Sequence, residues 1–464
     1  MLFSSLTFLY WFLPLTFLIY FLVPAKLRNG VLFFSSLLFY FWGEPVYSVL
    51  ILFSAFVGWI HGLLIEKYKG KKAAKVLLFT GVGIPLALLL FFKYTNFFIT
   101  NINAVSGANI PLLKIVLPIG ISFYTFQILS YVVDVYRGDA DAQHNFINFG
   151  AYVMLFPQLI AGPIVRYTDV NRELVSRTLS VDKFASGVKT FCAGLGKKVL
   201  IANVLAELVK KYQESGSTVL SLWVCALAQT LQIYFDFSGY SDMAIGMGKM
   251  LGFNFPENFR YPFISASVSE FWRRWHMTLG SWFRDYVYIP MGGNRVSFLR
   301  HAFNIFTVWF LTGFWHGAEW TFIIWGLYFG VILMLEKHLF LKVKIPDAVR
   351  RIPTLFIILI SFVIFNAGSA AQIPETLGGM FGFGGLALSD VQTLYYLKSY
   401  IVLLIVAIIG STPLPKKLFY KLKQTKAGSI ALAVAEPVGC CAVVLVCSSY
   451  LIGGSYNPFL YFRF

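Results

Sequence analysis

His316 lies in Leu311-Thr312-Gly313-Phe314-Trp315-His316-Gly317-Ala318-Glu319-Trp320, late in an apolar run. A helix starting near His301 carries it about 22 Å along the axis. An ionisable side chain held that deep in apolar surroundings is costly, and so points to function. A neutral imidazole there can act as general base towards a hydroxyl attacking an acyl carbon. It can equally accept the acyl group as a covalent relay. The sequence leaves both roles open, beside a plainer alternative in which the ring only bonds across helices. Gly313 and Gly317 flank it at small-xxx-small spacing, which lets a second helix come close. Glu319 shares its face if the helix continues.

His276, in Phe271-Trp272-Arg273-Arg274-Trp275-His276, is the second candidate because it borders a polar centre, although packing among aromatic rings explains it as well. The other histidines carry less. His61 reads as packed or interfacial, His144 and His338 as headgroup-level residues, and His301 as the start of a helix. Asp236, Ser238 and Asp242 share Tyr234-Phe235-Asp236-Phe237-Ser238-Gly239-Tyr240-Ser241-Asp242. Acids in such a setting line a cavity, position substrate or pair with an arginine. Arg273, Arg274 and Arg284 suit the phosphates of a donor, and membrane topology explains them equally. With Trp275, Trp315, Asp236 and Ser238 they form the expected substrate and donor side of the site. GxSxG, HExxH, Walker and DxDxDG patterns are missing. Two distant histidines and scattered carboxylates fall short of a metal site.

Residues of this kind need elements that hold them in lipid. The chain has 464 residues, of which 58% are hydrophobic and 13% charged. That charged share is roughly half the usual. Its 48 Phe, 25 Tyr and 11 Trp exceed what a soluble core of this size can bury. The expectation is a polytopic membrane protein. A bilayer core of ~30 Å needs ~20 residues per helix, leaving room for roughly ten to twelve crossings. Residues 1–23 lack a basic leader and a cleavage site, and are expected to stay as a first span.

The net charge of +17 is concentrated. Lys67, Lys69, Lys71, Lys72 and Lys75 crowd one loop, and Lys416, Lys417, Lys421, Lys423 and Lys426 another. The polar stretches 94–113 and 371–397 hold no Lys or Arg. This positive-inside pattern puts the N-terminus outside and accounts for the basicity without nucleic acid. Five cysteines without CxxC or metal spacing read as small packing residues.

Apolar runs cover 6–23, 31–42, 46–65, 76–92, 115–135, 302–315, 321–335, 355–365, 400–409 and 431–451. Between them, 156–162 and 236–262 are too rich in Gly, Pro, Asp, Asn and Ser for lipid contact, so irregular backbone is expected there, buried in protein. Residues 269–295 mix Arg with Trp and Tyr, which suits the cytoplasmic interface. The whole is expected to be one integral-membrane domain: N-terminal helices to 137, an irregular polar core at 138–300, and helices bearing His316 from 301.

These blocks resemble the bacterial branch of the membrane-bound O-acyltransferase family. The match rests on Gly120-Ile121-Ser122-Phe123-Tyr124-Thr125-Phe126-Gln127 and Phe156-Pro157-Gln158-Leu159-Ile160-Ala161-Gly162-Pro163-Ile164. It continues through the Asp236 and His276 blocks, Arg284-Asp285-Tyr286, Tyr288-Ile289-Pro290-Met291-Gly292-Gly293-Asn294-Arg295 and Trp315-His316-Gly317. The resemblance spans nearly the whole chain and is closest to the alginate type, including the tail Phe459-Leu460-Tyr461-Phe462-Arg463-Phe464. It places the family's invariant histidine on His316 and the second histidine of the bacterial branch on His276.

The implied fold is all-α, a ring of about 11 transmembrane helices plus re-entrant and interfacial helices around a central tunnel. The implied activity is O-acetyl transfer in a bacterial plasma (inner) membrane. Acetyl-CoA is the expected cytosolic donor and no bound cofactor is expected. An extracytoplasmic serine-esterase-like (SGNH) acetyltransferase is the expected partner, and an exported polysaccharide such as alginate the acceptor. Two rivals stand beside it: D-alanyl transfer from a carrier protein to teichoic acid, and a transporter of glycan or lipid with no covalent chemistry.

Overall fold

The computed structural model describes residues 2–160, 162–340, 343 and 345–454; Ala161 of the second block and the aromatic tail at 459–464 lie outside them. Among the described residues every regular element is helical. Seven helices among the described residues are long and apolar enough to cross a membrane: Ser48–Lys67, Lys72–Ser106, Val219–Met250, Trp320–His338, Asp347–Asn366, Val391–Gly410 and Lys426–Ile452. Shorter helices such as Arg28–Gly43, 16 residues long, accompany them. This is the all-α polytopic class that the composition demands.

The chain forms two compact units, one of residues Met1–Phe191 with Ser241–Pro256 and the other of Cys192–Tyr240 with Glu257–Phe464. In the first, the helix Ile121–Arg137 is buried along most of its length. It starts from Gly120, whose φ of 76° and position 2.6 Å from the Leu159 carbonyl oxygen, measured to a notional β-carbon, exclude any side chain. The leading glycine of the first sequence block therefore serves backbone contact.

Two stretches depart from the sequence expectation. The sequence reads a loop around 101–109, yet the helix Lys72–Ser106 runs 35 residues and takes in the first part of it. That is about 52 Å of helix, longer than the ~30 Å hydrocarbon core. Its polar end is sustained by asparagines that bind the returning chain. Asn96 exchanges two hydrogen bonds with Leu113, both 2.9 Å, and Asn103 two with Ile110, at 2.8 and 2.9 Å.

The second departure is the expected irregular stretch 236–262. The helix Val219–Met250 runs unbroken through its first half, and irregular backbone is confined to the segment after it. The glycines that suggested turns instead permit close packing. A β-carbon on Gly239 would lie 2.8 Å from the Gly194 carbonyl oxygen, and one on Gly246 2.6 Å from the Phe191 nitrogen.

In the second unit, Phe298–His316 and Trp320–His338 form the tight pair that Gly313 suggested. A β-carbon on Gly313 would collide with the Phe322 carbonyl oxygen, and one on Gly326 with that of Trp309. Gly317 is extended and stops the first helix at His316. Glu319 therefore does not continue the face of His316; it is an exposed residue ahead of the next helix. Residues 269–295 break into the helices Val268–Trp272 and Met277–Phe283 and a π-helical turn, Arg284–Tyr288. The second lysine-rich loop contains a helix, Leu414–Lys423, none of whose residues is buried.

Candidate active site

His316 is the last residue of its helix and is 6% exposed. Its ring meets Trp325 at 5.2 Å and Phe365 at 5.4 Å between centroids, both edge-on, with Trp315 at 5.0 Å. His276 is 2% exposed and meets Phe237 at 4.7 Å and Trp315 at 6.1 Å. Trp315 thus touches both imidazoles. The two histidines that the sequence singled out are enclosed together by aromatic rings.

His276 occupies a strained turn. Its φ of 45° and ψ of 50° are left-handed, a conformation that costs a non-glycine residue roughly 1–3 kcal/mol and gathers at functional sites. A neighbouring segment braces the turn. The Met277 amide donates to the Asn258 carbonyl at 3.0 Å, and the Arg260 amide to that of Arg274 at 2.9 Å. The Asn258 side-chain oxygen lies 3.2 Å from His276 Nδ1 and accepts from the Thr278 hydroxyl at 2.9 Å. Burial, with the charge of nearby His316 adding to it, holds the His276 pKa well below the usual histidine range. The ring is therefore neutral at ordinary pH, as a base must be.

The preceding helix is anchored from a spanning helix. Buried Glu336 accepts from the amides of Val268 and of Ser269, the latter at 2.9 Å, so a carboxylate sits where the helix dipole favours one. Beside it opens a cleft of about 560 Å³ lined by Arg273, Arg284, His301 and Lys337 among polar residues Ser267, Ser269, Tyr288 and Asn294. The cleft wall Trp309 stands 6.2 Å from Trp325, the indole that meets His316. A concave basic slot one ring away from an enclosed histidine suits an anionic group carrying a reactive tail.

The remaining expected site residues divide. Arg273 and Arg284 line the cleft, Arg284 also bonding Asp285 at 2.6 Å. Arg274 is turned to Glu270 at 2.8 Å and is not among the cleft's lining. Trp275 packs between Phe271 at 5.5 Å and Phe259 at 5.1 Å. Asp236 forms a buried salt bridge with Lys198 at 2.5 Å, in place of the arginine considered from sequence. Ser238 is buried in the same helix, and its hydroxyl has no hydrogen-bond partner among the described residues.

His61 is held by the Val57 carbonyl at 2.7 Å and the Thr80 hydroxyl at 3.1 Å, the packed role expected of it. Sequence reasoning missed Asn258, Lys198, Glu336, Trp325 and Phe365. None sits at a motif spacing, and only a buried charge in an apolar run hinted at Lys198 and Glu336.

The model of the membrane-bound O-acyltransferase family matches residues 139–370, which include both histidines and the cleft. The chain is 38% identical to a probable alginate O-acetylase of Pseudomonas putida across 100% of both chains. It is 33% identical to a peptidoglycan O-acetyltransferase of Helicobacter pylori over 84% of this chain and 82% of that one. Likeness to a teichoic acid D-alanyltransferase of Bacillus subtilis is 26% over 62% of this chain and 78% of the relative. A match of this extent, on a helical membrane scaffold with two enclosed histidines, identifies the chain as a member of the membrane-bound O-acyltransferase family and thus an O-acyltransferase.

Proposed function

We propose that this protein is an O-acetyltransferase of the bacterial plasma (inner) membrane. It takes acetyl from cytosolic acetyl-CoA and passes it across the bilayer for O-acetylation of an exported polysaccharide such as alginate. The observation that carries this reading is the enclosed array of His276, Trp315 and His316. An extracytoplasmic serine-esterase-like acetyltransferase receives the acetyl group, and the N-terminus faces outward as the lysine-rich loops at 67–75 and 416–426 suggest.

His316 removes the proton of the attacking hydroxyl as its oxygen bonds the acetyl carbon; the C–S bond breaks and coenzyme A leaves as thiolate. In the relay form of the step, the His316 nitrogen bonds the acetyl carbon first and the hydroxyl displaces it. His276 holds a second basic nitrogen beside the reaction. The aromatic enclosure keeps bulk water from hydrolysing the thioester. Arg273, Arg284 and Lys337 hold the donor's phosphates in the basic cleft. The full-length likeness to an alginate O-acetylase favours acetyl over D-alanine as cargo.

The test is label transfer from acetyl-CoA to exported polysaccharide, comparing the wild type with His316→Ala at equal membrane levels. Loss of at least about 100-fold in the variant is expected for removal of a general base. Persistent labelling by the variant would move the chemistry to His276. Failure of the wild type to consume acetyl-CoA would bring D-alanyl transfer from a carrier protein forward.

A further inference from the structure

We propose that Asn258 is a positioning residue for acyl transfer, holding His276 with its proton on Nδ1 so that Nε2 presents a lone pair to the reacting atoms. The inference rests on the reading of His276 given above and adds which of its nitrogens works and what decides it.

Asn258 is fully buried. Its side-chain oxygen meets the Thr278 amide at 3.4 Å, the Thr278 hydroxyl at 2.9 Å and His276 Nδ1 at 3.2 Å. An amide N–H can only donate, so the Asn258 atom that meets it is the carbonyl oxygen and not the NH₂ group. That oxygen can only accept, so His276 Nδ1 must carry a proton. In a neutral ring Nε2 is then bare. His276 Nε2 is buried with no hydrogen-bond partner among the described residues. A buried polar atom left this way costs free energy and calls for an explanation in function.

The backbone points the same way. The Met277 amide donates to the Asn258 main-chain carbonyl at 3.0 Å, so one residue clamps both the turn and the ring. The left-handed φ of His276 aims its side chain at that clamp and at Trp315. Phe237 and Phe259 close the other sides of the ring, Phe259 stacked at 6.5 Å, and neither offers Nε2 a competing proton.

The experiment is the ¹⁵N spectrum of the full chain with labelled histidine in lipid nanodiscs, the His276 signals being those lost in His276→Gln. The expected result is a protonated Nδ1 and a bare Nε2; a proton on Nε2 would overturn the proposal. Asn258→Ala should release the tautomer and lower turnover on the order of 100-fold while the KM for acetyl-CoA stays within about threefold. An Ala variant that folds with an unchanged spectrum also overturns it. If that variant does not fold, the near-isosteric Asn258→Asp decides, because its carboxylate still accepts and should keep the Nδ1 proton. An Asp variant with the proton on Nε2 counts against the proposal. Unchanged turnover in His276→Gln would instead overturn the role of His276 in transfer, whatever the tautomer.

Discussion

Lys198 and Asp236 form a salt bridge of 2.5 Å with each side chain only 2% exposed. Lys198 belongs to the π-helical turn Lys197–Ala202, and Asp236 to the middle of Val219–Met250. Two charges removed from water need each other, so the loss of one leaves the other stranded. Lys198→Met or Asp236→Leu alone should destabilise by about 3–5 kcal/mol. The double variant should regain most of that, because an apolar pair of similar volume carries no desolvation cost. Thermal unfolding of the purified chain in detergent checks this. Full activity in the refolded double variant would also show that Asp236 does not handle substrate.

The pH dependence follows from the depressed pKa of His276, set by burial first and by His316 second. The ring is neutral above its own pKa, so His276 Nε2 should stay bare as pH falls past the usual histidine value of about 6.5 and take up a proton only well below it, which its ¹⁵N signals followed across pH will show. Folding stability behaves differently. The unfolded ring takes up a proton near pH 6.5 and the folded ring does not, so the unfolded state binds more protons in that window. Stability should therefore fall as pH drops below about 6.5. His276→Gln should flatten that part of the stability curve, which unfolding measured across pH will show.

Charge reversal in the cleft should act on donor binding. Arg273→Glu or Lys337→Glu should raise the KM for acetyl-CoA about tenfold, the effect of losing a charge-assisted hydrogen bond of ~1.5 kcal/mol, with kcat little changed. Added salt should narrow the gap. Arg274, engaged by Glu270 at 2.8 Å, should not give this pattern. Steady-state kinetics at two ionic strengths separates these outcomes.

Gly326 should tolerate no side chain. Gly326→Leu drives a branched group into the Trp309 carbonyl and should cost about 1–3 kcal/mol or more, seen as a lowered unfolding temperature. Since the same helix pair presents His316 and Trp325, activity should fall with it.

Much of this was legible along the chain. Long unbroken apolar runs in lipid call for helices, in which every backbone polar group bonds within its own segment, whereas the strands of a barrel would alternate apolar and polar residues. His316 stood out because an ionisable group deep in an apolar run is costly, and Gly313 because a helix partner needs room there. Glycine and asparagine misled at 236–250 and 101–106, where the same residues that make turns in water serve helix packing and helix-end hydrogen bonds. Local composition cannot separate those uses, since the difference lies in what stands opposite.

What only the tertiary structure decided is partnership. Sequence separates Lys198 from Asp236, Glu336 from Val268 and Asn258 from His276, and no periodicity links them. Each pair forms because burial denies water to both members and leaves one partner within reach. The residue types were set by the chain; which nitrogen of His276 is bare, and which arginines face the cleft, depended on neighbours that folding alone brings together.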